Sequence, residues 1–404
     1  MPATRPSDPI VVTGIGLSTA LGLDRETVWA NLRAGRSGMR SLAGFEGPEA
    51  GAPALGIDRS DPEPVLTLLD RVGDEALEHA GFSVESPAPS DRTACLIGLS
   101  KGGLRTFAAA ARDPGGRAAI DLWTRGAPGS GASHIAARHR FRGPSLGPVA
   151  ACATGLAAVL QGAELLRRDA CDVALVGSAD ASLEPLILGA FRRMRASAPS
   201  DGDPTRAIRP CDRNRAGFLV GEGGAVLVIE RASDARARGA RAIVEIAGGS
   251  LGSDAFHETN LNPDPRPLSR LIDRAIERAG VDRDLVDHVN LHGTATRAND
   301  PLEAAALGLV FGDRILEIAC SANKAQLGHL LGAAGSVELA IACLAIRDGF
   351  VPPTLNLEEL DPACRIDAVP GVGRPVAIRA ALKLSLGFGG HLAVAVLRRP
   401  EPTP

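Results

Sequence analysis

GLAAVLQGAELL, residues 155–166, and GSVELAIACLAI, residues 335–346, are the two stretches on which the fold turns. Both are apolar at helical spacing, both open on a glycine, and they lie 180 residues apart. Each is followed, after a long interval, by a Gly-rich turn that feeds an apolar strand: GEGGAVLVIE (221–230) and GFGGHLAVAVL (387–397). Self-similarity at this distance predicts a duplicated α/β chain of two halves, 1–236 and 237–404, meeting near 231–241.

Outward from these segments the pattern stays α/β. Ile10–Thr13, 94–98, 172–180, 223–230, 241–249 and 288–292 read as buried strands, and paired strands are expected near 377–386 and 391–397. Helices are predicted behind an N-cap at Asp24, through Val65–Ala76, over 267–279, and after Asp300, read as a cap with Pro301 at the first helical position. A charged turn is expected at 231–240, and the Gly/Ala/Arg-rich stretch 102–143 is placed only loosely. Strands alternating with helices argue for largely buried sheets covered by helices.

Composition excludes several function classes. The 44 basic and 47 acidic residues leave a net charge of −3, which gives no support to a nucleic-acid or anionic-membrane binder. Tyrosine is absent, and Lys101, Lys324 and Lys383 are the only lysines, which removes every mechanism needing a tyrosine acid and most needing a catalytic lysine. Seven cysteines with no CxxC argue against a disulfide framework and for a reducing cytoplasm. MPATRPSDPI has no apolar core of a signal peptide, and no apolar run reaches membrane-spanning length. HExxH and Walker A sequences are absent, so no metal site is expected.

Four segments could carry chemistry. Cys152, in PVAACATGLAAVL, directly precedes an apolar helix, where unpaired N–H groups and the helix dipole favour thiolate. His292 ends a buried strand in VNLHGTATRANDP, the position where α/β folds place ligands. Lys324 and His329 share CSANKAQLGHLLGAAG, amid glycines and leucines that make a solvated surface role hard to sustain. The GFGG turn at 387–390 could offer backbone N–H groups to an oxyanion. Cys211, in RPCDRNRAGF, reads as a polar-loop thiol without a partner.

In this order and at these intervals the segments resemble the β-ketoacyl-acyl-carrier-protein synthases, specifically the elongating, KAS II-like ketosynthases of the thiolase superfamily. The resemblance runs through IVVTGIGLSTALG, FRGPSLGPVAACATG and RPCDRNRAGFLVGEGG to the terminal GFGG. It implies a thiolase-like fold of two βαβαβαββ halves in five α-β-α-β-α layers. It implies that Cys152 accepts an acyl group, and that His292 and His329 promote decarboxylation of a malonyl thioester for Claisen condensation. Backbone amides of Cys152 and Phe388 would form the oxyanion hole, with Phe388 also the gate. Lys324 would order the histidine region, and Thr294, Thr296, Glu338 and Gly389 would support it.

No cofactor is implied, because substrates arrive on the phosphopantetheine arm of acyl carrier protein. The implied partners are that carrier and a second ketosynthase, in a homodimer or a heterodimer with a chain-length-factor-like subunit. Arg192, Arg193 and Arg209 are candidates for carrier docking, and 102–143 for the dimer interface. The chain departs from the family signature N-S-F-G-F-G-G-x-N at Leu384, Leu386 and Leu392; His391 adds an imidazole, and Lys101 stands where a small or apolar residue is familiar. These departures point toward specialised polyketide, polyene or unusual fatty-acid synthesis. Two alternatives stay open: a non-catalytic chain-length-factor-type subunit, and an acyltransferase without decarboxylation.

Overall fold

The computed structural model describes residues 8–45, 49–199 and 202–401. The residues preceding Asp8, read above for their lack of an apolar core, lie outside this range. Ten strands form the main sheet: β1 Ile10–Thr19, β2 Thr93–Gly98, β3 Ser145–Leu146, β4 Val173–Asp180, β5 Gly223–Arg231, β6 Val244–Ser253, β7 Val286–Asn290, β8 Ala319–Ser321, β9 Ala380–Gly387 and β10 His391–Arg398. Helices of nine residues or more are α1 Arg25–Arg33, α2 Pro64–His79, α3 Leu104–Arg112, α4 Ser130–His139, α5 Thr154–Arg167, α6 Pro185–Arg193, α7 Arg266–Ala279, α8 Asn299–Phe311 and α9 Ala334–Asp348.

The strand order is β3-β2-β4-β5-β1-β6-β10-β9-β7-β8. β5 pairs antiparallel with β1 and β4, while β2 runs parallel to β4 and β3. The second half repeats this: β10 is antiparallel to β6 and β9, and β7 is parallel to β9 and β8. Each strand therefore has a counterpart five strands later. The halves are stitched by a short antiparallel contact, Val11 opposite Glu245 and Val12 opposite Val244.

Helices α5 and α9, which hold the apolar stretches 155–166 and 335–346, lie between the half-sheets and touch each other as well as strands of both halves. They are apolar around most of their circumference because a helix with sheets on both sides has little polar face to spare. Their N-terminal ends cross so closely that a Cβ on Gly155 would lie 2.6 Å from Ser336 N, and one on Gly335 2.5 Å from Leu156 N. Only glycine permits that approach. Outside, α2 packs on β1 and β5, α4 on β2, and α7 on β6 and β10 with α8 beside it. This is the thiolase-like, five-layered α-β-α-β-α fold.

Several local expectations change. β1 runs on to Thr19, its glycines lying inside the strand where the α2 backbone packs against them. The charged turn at 231–240 holds a short helix, Ala232–Ala237. The loosely placed 102–143 contains α3, a helix Arg117–Asp121, a π-helical turn Leu122–Gly126 and α4. Asp300 is not the cap of α8, because the helix starts one residue earlier; its carboxylate instead accepts the Cys211 N–H at 2.8 Å. Cys211 is buried beside the Cys364 thiol, and all seven cysteines are free. No described helix is long and apolar enough to cross a membrane.

Candidate active site

Cys152 lies on a tight elbow between β3 and α5. Ala151 has φ of 46°, a left-handed conformation that costs a non-glycine residue about 1–2 kcal/mol. The elbow is held by Ala153 N–H donating to Ala150 O and Ala150 N–H donating to Thr154 Oγ1, both at 2.9 Å. Gly387 of β9 rests directly on it, since a Cβ there would stand 2.7 Å from Ala150 O and 3.1 Å from Cys152 N. The GFGG turn and the nucleophile candidate are thus backbone neighbours. Gly389 N–H is spent on Glu258 O at 2.7 Å, which ties the turn to the 254–258 loop.

The two histidines meet in one cavity of about 510 Å³, whose lining includes Cys152, His292, His329, Thr294, Thr296 and Phe388. Their rings lie 5.4 Å apart, nearly perpendicular at 80°, and Phe218 meets His329 edge-on at 4.7 Å. The His292 turn is fastened by Glu303, which accepts His292 N–H at 2.6 Å and Gly293 N–H at 2.7 Å. Burial raises the Glu303 carboxyl to about 7. Thr294 and Thr296 hydroxyls bond to each other at 2.9 Å.

Lys324 is fully buried. Its Nζ donates to Glu338 Oε1 at 2.6 Å and to His292 O. Burial, with the ammoniums of Lys324 and Lys383 nearby, holds both imidazoles well below the ordinary histidine range, so they are neutral near pH 7. Leu331 N–H donates to His329 Nδ1 at 3.3 Å, which assigns the ring proton to Nε2. Two neutral N–H donors beside a thiol suit the stabilisation of an enolate.

The expectation of a resting thiolate is corrected. Desolvation pushes the Cys152 thiol up to about 11, outweighing the pull of Lys101 and Lys324. Cys152 also stands one residue ahead of the α5 N-cap, Ala153, beyond the first turn where the dipole acts most strongly. Lys101, unexplained from sequence, pairs with buried Asp180 at 2.7 Å. Among the described residues no three His, Cys, Asp or Glu side chains converge as metal ligands.

Sequence comparison fits this geometry. The β-ketoacyl synthase N-terminal domain family matches residues 7–235, and the β-ketoacyl synthase C-terminal domain family residues 243–358. The chain belongs to the β-ketoacyl synthase family. It is 35% identical to the tetracenomycin polyketide synthase ketoacyl synthase alpha subunit of Streptomyces glaucescens, covering 98% of both chains. It is also 35% identical to 3-oxoacyl-[acyl-carrier-protein] synthase 2 of Rhizobium meliloti, over 96% of this chain and 98% of that one. A solved type II polyketide ketosynthase, in complex with its acyl-carrier protein and bound to the hexaketide, superposes with TM-score 0.89 at 27% identity, covering 98% of this chain and 100% of that one. The ishigamide ketosynthase/chain length factor gives 0.87 at 31% identity with the same coverage.

In this family member the candidate docking arginines separate. Arg192 is exposed and paired with Glu49, whereas Arg193 is exposed with no ion-pair partner among the described residues. Arg209 is turned inward, 20% exposed, ion-paired with Glu358 at 2.6 Å and with Asp212 at 3.7 Å, and does not join them. Arg195, which the sequence places in the same basic run, lines the cavity, and so does Arg297, not singled out from sequence. Leu384, Leu386 and Leu392 are buried in the core around β9 and β10, with Leu386 directly opposite Leu392. His391 closes the same hairpin opposite Gly387.

Proposed function

We propose that this synthase is a β-ketoacyl-acyl-carrier-protein synthase, an acyltransferase that performs decarboxylative Claisen condensation. The observation that carries the reading is the single cavity joining Cys152 to two neutral imidazoles, one with its proton assigned to Nε2. Cys152 Sγ attacks the acyl thioester carbonyl; the bond to the pantetheine sulfur breaks, and the thiol proton ends on that leaving sulfur. Malonyl thioester then enters. Its carbon–carboxylate bond breaks, carbon dioxide leaves, and the electron pair becomes an enolate whose oxygen accepts N–H bonds from His292 and His329. The enolate carbon attacks the acyl-Cys152 carbonyl, and the amides of Cys152 and Phe388 receive the oxyanion. Collapse expels the Cys152 thiolate, which takes a proton from solvent.

Lys324 and Glu338 position the His292 segment, Glu303 fastens its turn, Thr294 and Thr296 line the cavity, and Gly389 ties down the turn that carries Phe388. No cofactor enters the chemistry; both substrates ride the phosphopantetheine arm of acyl carrier protein in the cytoplasm. Arg192 and Arg193 at the end of α6, with Arg195 at the cavity, offer the acidic carrier a basic rim. A second ketosynthase subunit, identical or of the chain-length-factor type, completes the assembly. The departures from the family signature carry the lean toward a specialised polyketide, polyene or unusual fatty-acid substrate, and of the three leucines Leu386 lines the cavity.

The test is mass spectrometry after incubation with acyl carrier protein and then malonyl carrier protein. An acyl adduct on Cys152 followed by carbon dioxide release is expected. An adduct without release would assign a non-decarboxylating acyltransferase, and no adduct at all a non-catalytic subunit.

A further inference from the structure

Lys101 and Lys324 already have places beside the site; the third lysine does not. Lys383 lies in the middle of β9, in the otherwise apolar run AALKLSLG, and is fully buried. Its Nζ donates to Glu338 Oε2 at 2.7 Å, Leu384 O at 2.6 Å and Leu291 O at 3.2 Å. The other oxygen of Glu338 takes Lys324, whose Nζ also reaches His292 O. One carboxylate on α9 therefore holds two ammonium groups, and these grip the consecutive carbonyls of Leu291 and His292. Lys383 further holds the carbonyl of Leu384, four residues before Phe388. All three side chains have no exposed surface.

Holding two cations out of water on one shared carboxylate is a poor device for stability when an apolar residue would fill the same strand position. We infer that Lys383 is a positioning residue for the decarboxylation step, fixing the strand ends that carry His292 and the Phe388 turn and keeping a second cation behind the two imidazoles. The inference rests on the decarboxylative reading above. The charged and titratable groups facing Lys383 are Glu338 on α9, Lys324 in the short helix Lys324–Leu327, Glu303 on α8, and the buried imidazoles of His288 and His292 on and after β7, with His329 beyond.

Burial lowers the Lys383 ammonium to about 8. Below that pH the second cation is present, and it is lost as pH rises through about 8. His292 and His329 are already neutral there, and the Cys152 thiol titrates higher, at about 11.

The experiment follows carbon dioxide release from malonyl carrier protein by the full-length enzyme across the alkaline range, with Cys152 alkylation by iodoacetamide and thermal melting alongside. Wild type is expected to lose activity along a limb near pH 8. Lys383→Met is expected to lower kcat by ~10-fold or more at pH 7, leave KM within ~2-fold, spare alkylation, and lack the limb. Lys383→Gln, which keeps a donor without the charge, is expected to recover part of the rate and still lack the limb. Wild-type enzyme without the limb overturns the inference, whether or not Lys383→Met folds. So does a variant that melts earlier yet keeps an unshifted limb. Wild type that forms acyl-Cys152 but releases no carbon dioxide sinks the decarboxylative reading itself, a result distinct from either of these.

Discussion

Ala151-Cys152-Ala153 ahead of α5 and Leu331-Gly332-Ala333 ahead of α9 are one turn made twice. Each is a short 3₁₀ segment, and the first residues have φ of 46° and 48°. In the first half the turn presents a thiol. In the second it presents none, and its amide is consumed by the other half: Gly332 N–H donates to Asp180 Oδ2 at 3.2 Å. The same asymmetry marks the buried carboxylates. Asp180 in the first half holds Lys101, 24% exposed, while Glu338 in the second holds two lysines with no exposure at all. The backbone is repeated and the side chains are not. On the proposed mechanism one half supplies the nucleophile, the other the histidines and the charge behind them.

That division can be broken most severely at the elbow. Cys152→Ala is expected to lower condensation by ~10³-fold or more while leaving carbon dioxide release within ~10-fold. Parallel loss of both, measured on one enzyme batch, would show that the halves do not divide the work. A smaller effect sharpens the contrast between the carboxylates. Glu338→Ala leaves two buried ammoniums unneutralised and should cost ~3–5 kcal/mol in urea denaturation. Asp180→Ala should cost less than half of that, because Lys101 can turn to water. Equal costs would erase the distinction. The smallest effect is electrostatic: Lys101→Met removes a cation that lowers the Cys152 thiol, so the alkylation profile should move to higher pH, with rates ~3-fold slower at pH 8. A profile that stays put would detach Lys101 from the nucleophile.

The duplicated frame was legible because α5 and α9 keep helical periodicity and open on glycines that their crossing demands. Cys152, His292, Lys324 and His329 were legible as oddities, polar groups in small-residue segments with no surface character. The 102–143 stretch was not, since its short helices leave Phe107, Ile120 and Trp123 exposed and so show no clean apolar stripe. The resting state of Cys152 was misread because proximity to a helix start is visible in sequence and desolvation is not. Lys383 and Glu303 were passed over, yet each left a trace: a lysine inside an apolar strand and a glutamate inside an apolar helix. Such residues stay buried only where something compensates them. For Lys383 the partner was the Glu338 of another apolar helix.

The glycine crossing of α5 and α9 has a consequence for how the molecule comes apart. Each helix is covered partly by the opposite half, so neither half can close its interior before the other arrives. A chain that reads as two consecutive units should therefore melt as one, with coincident loss of helix signal and tertiary signal in a single calorimetric peak.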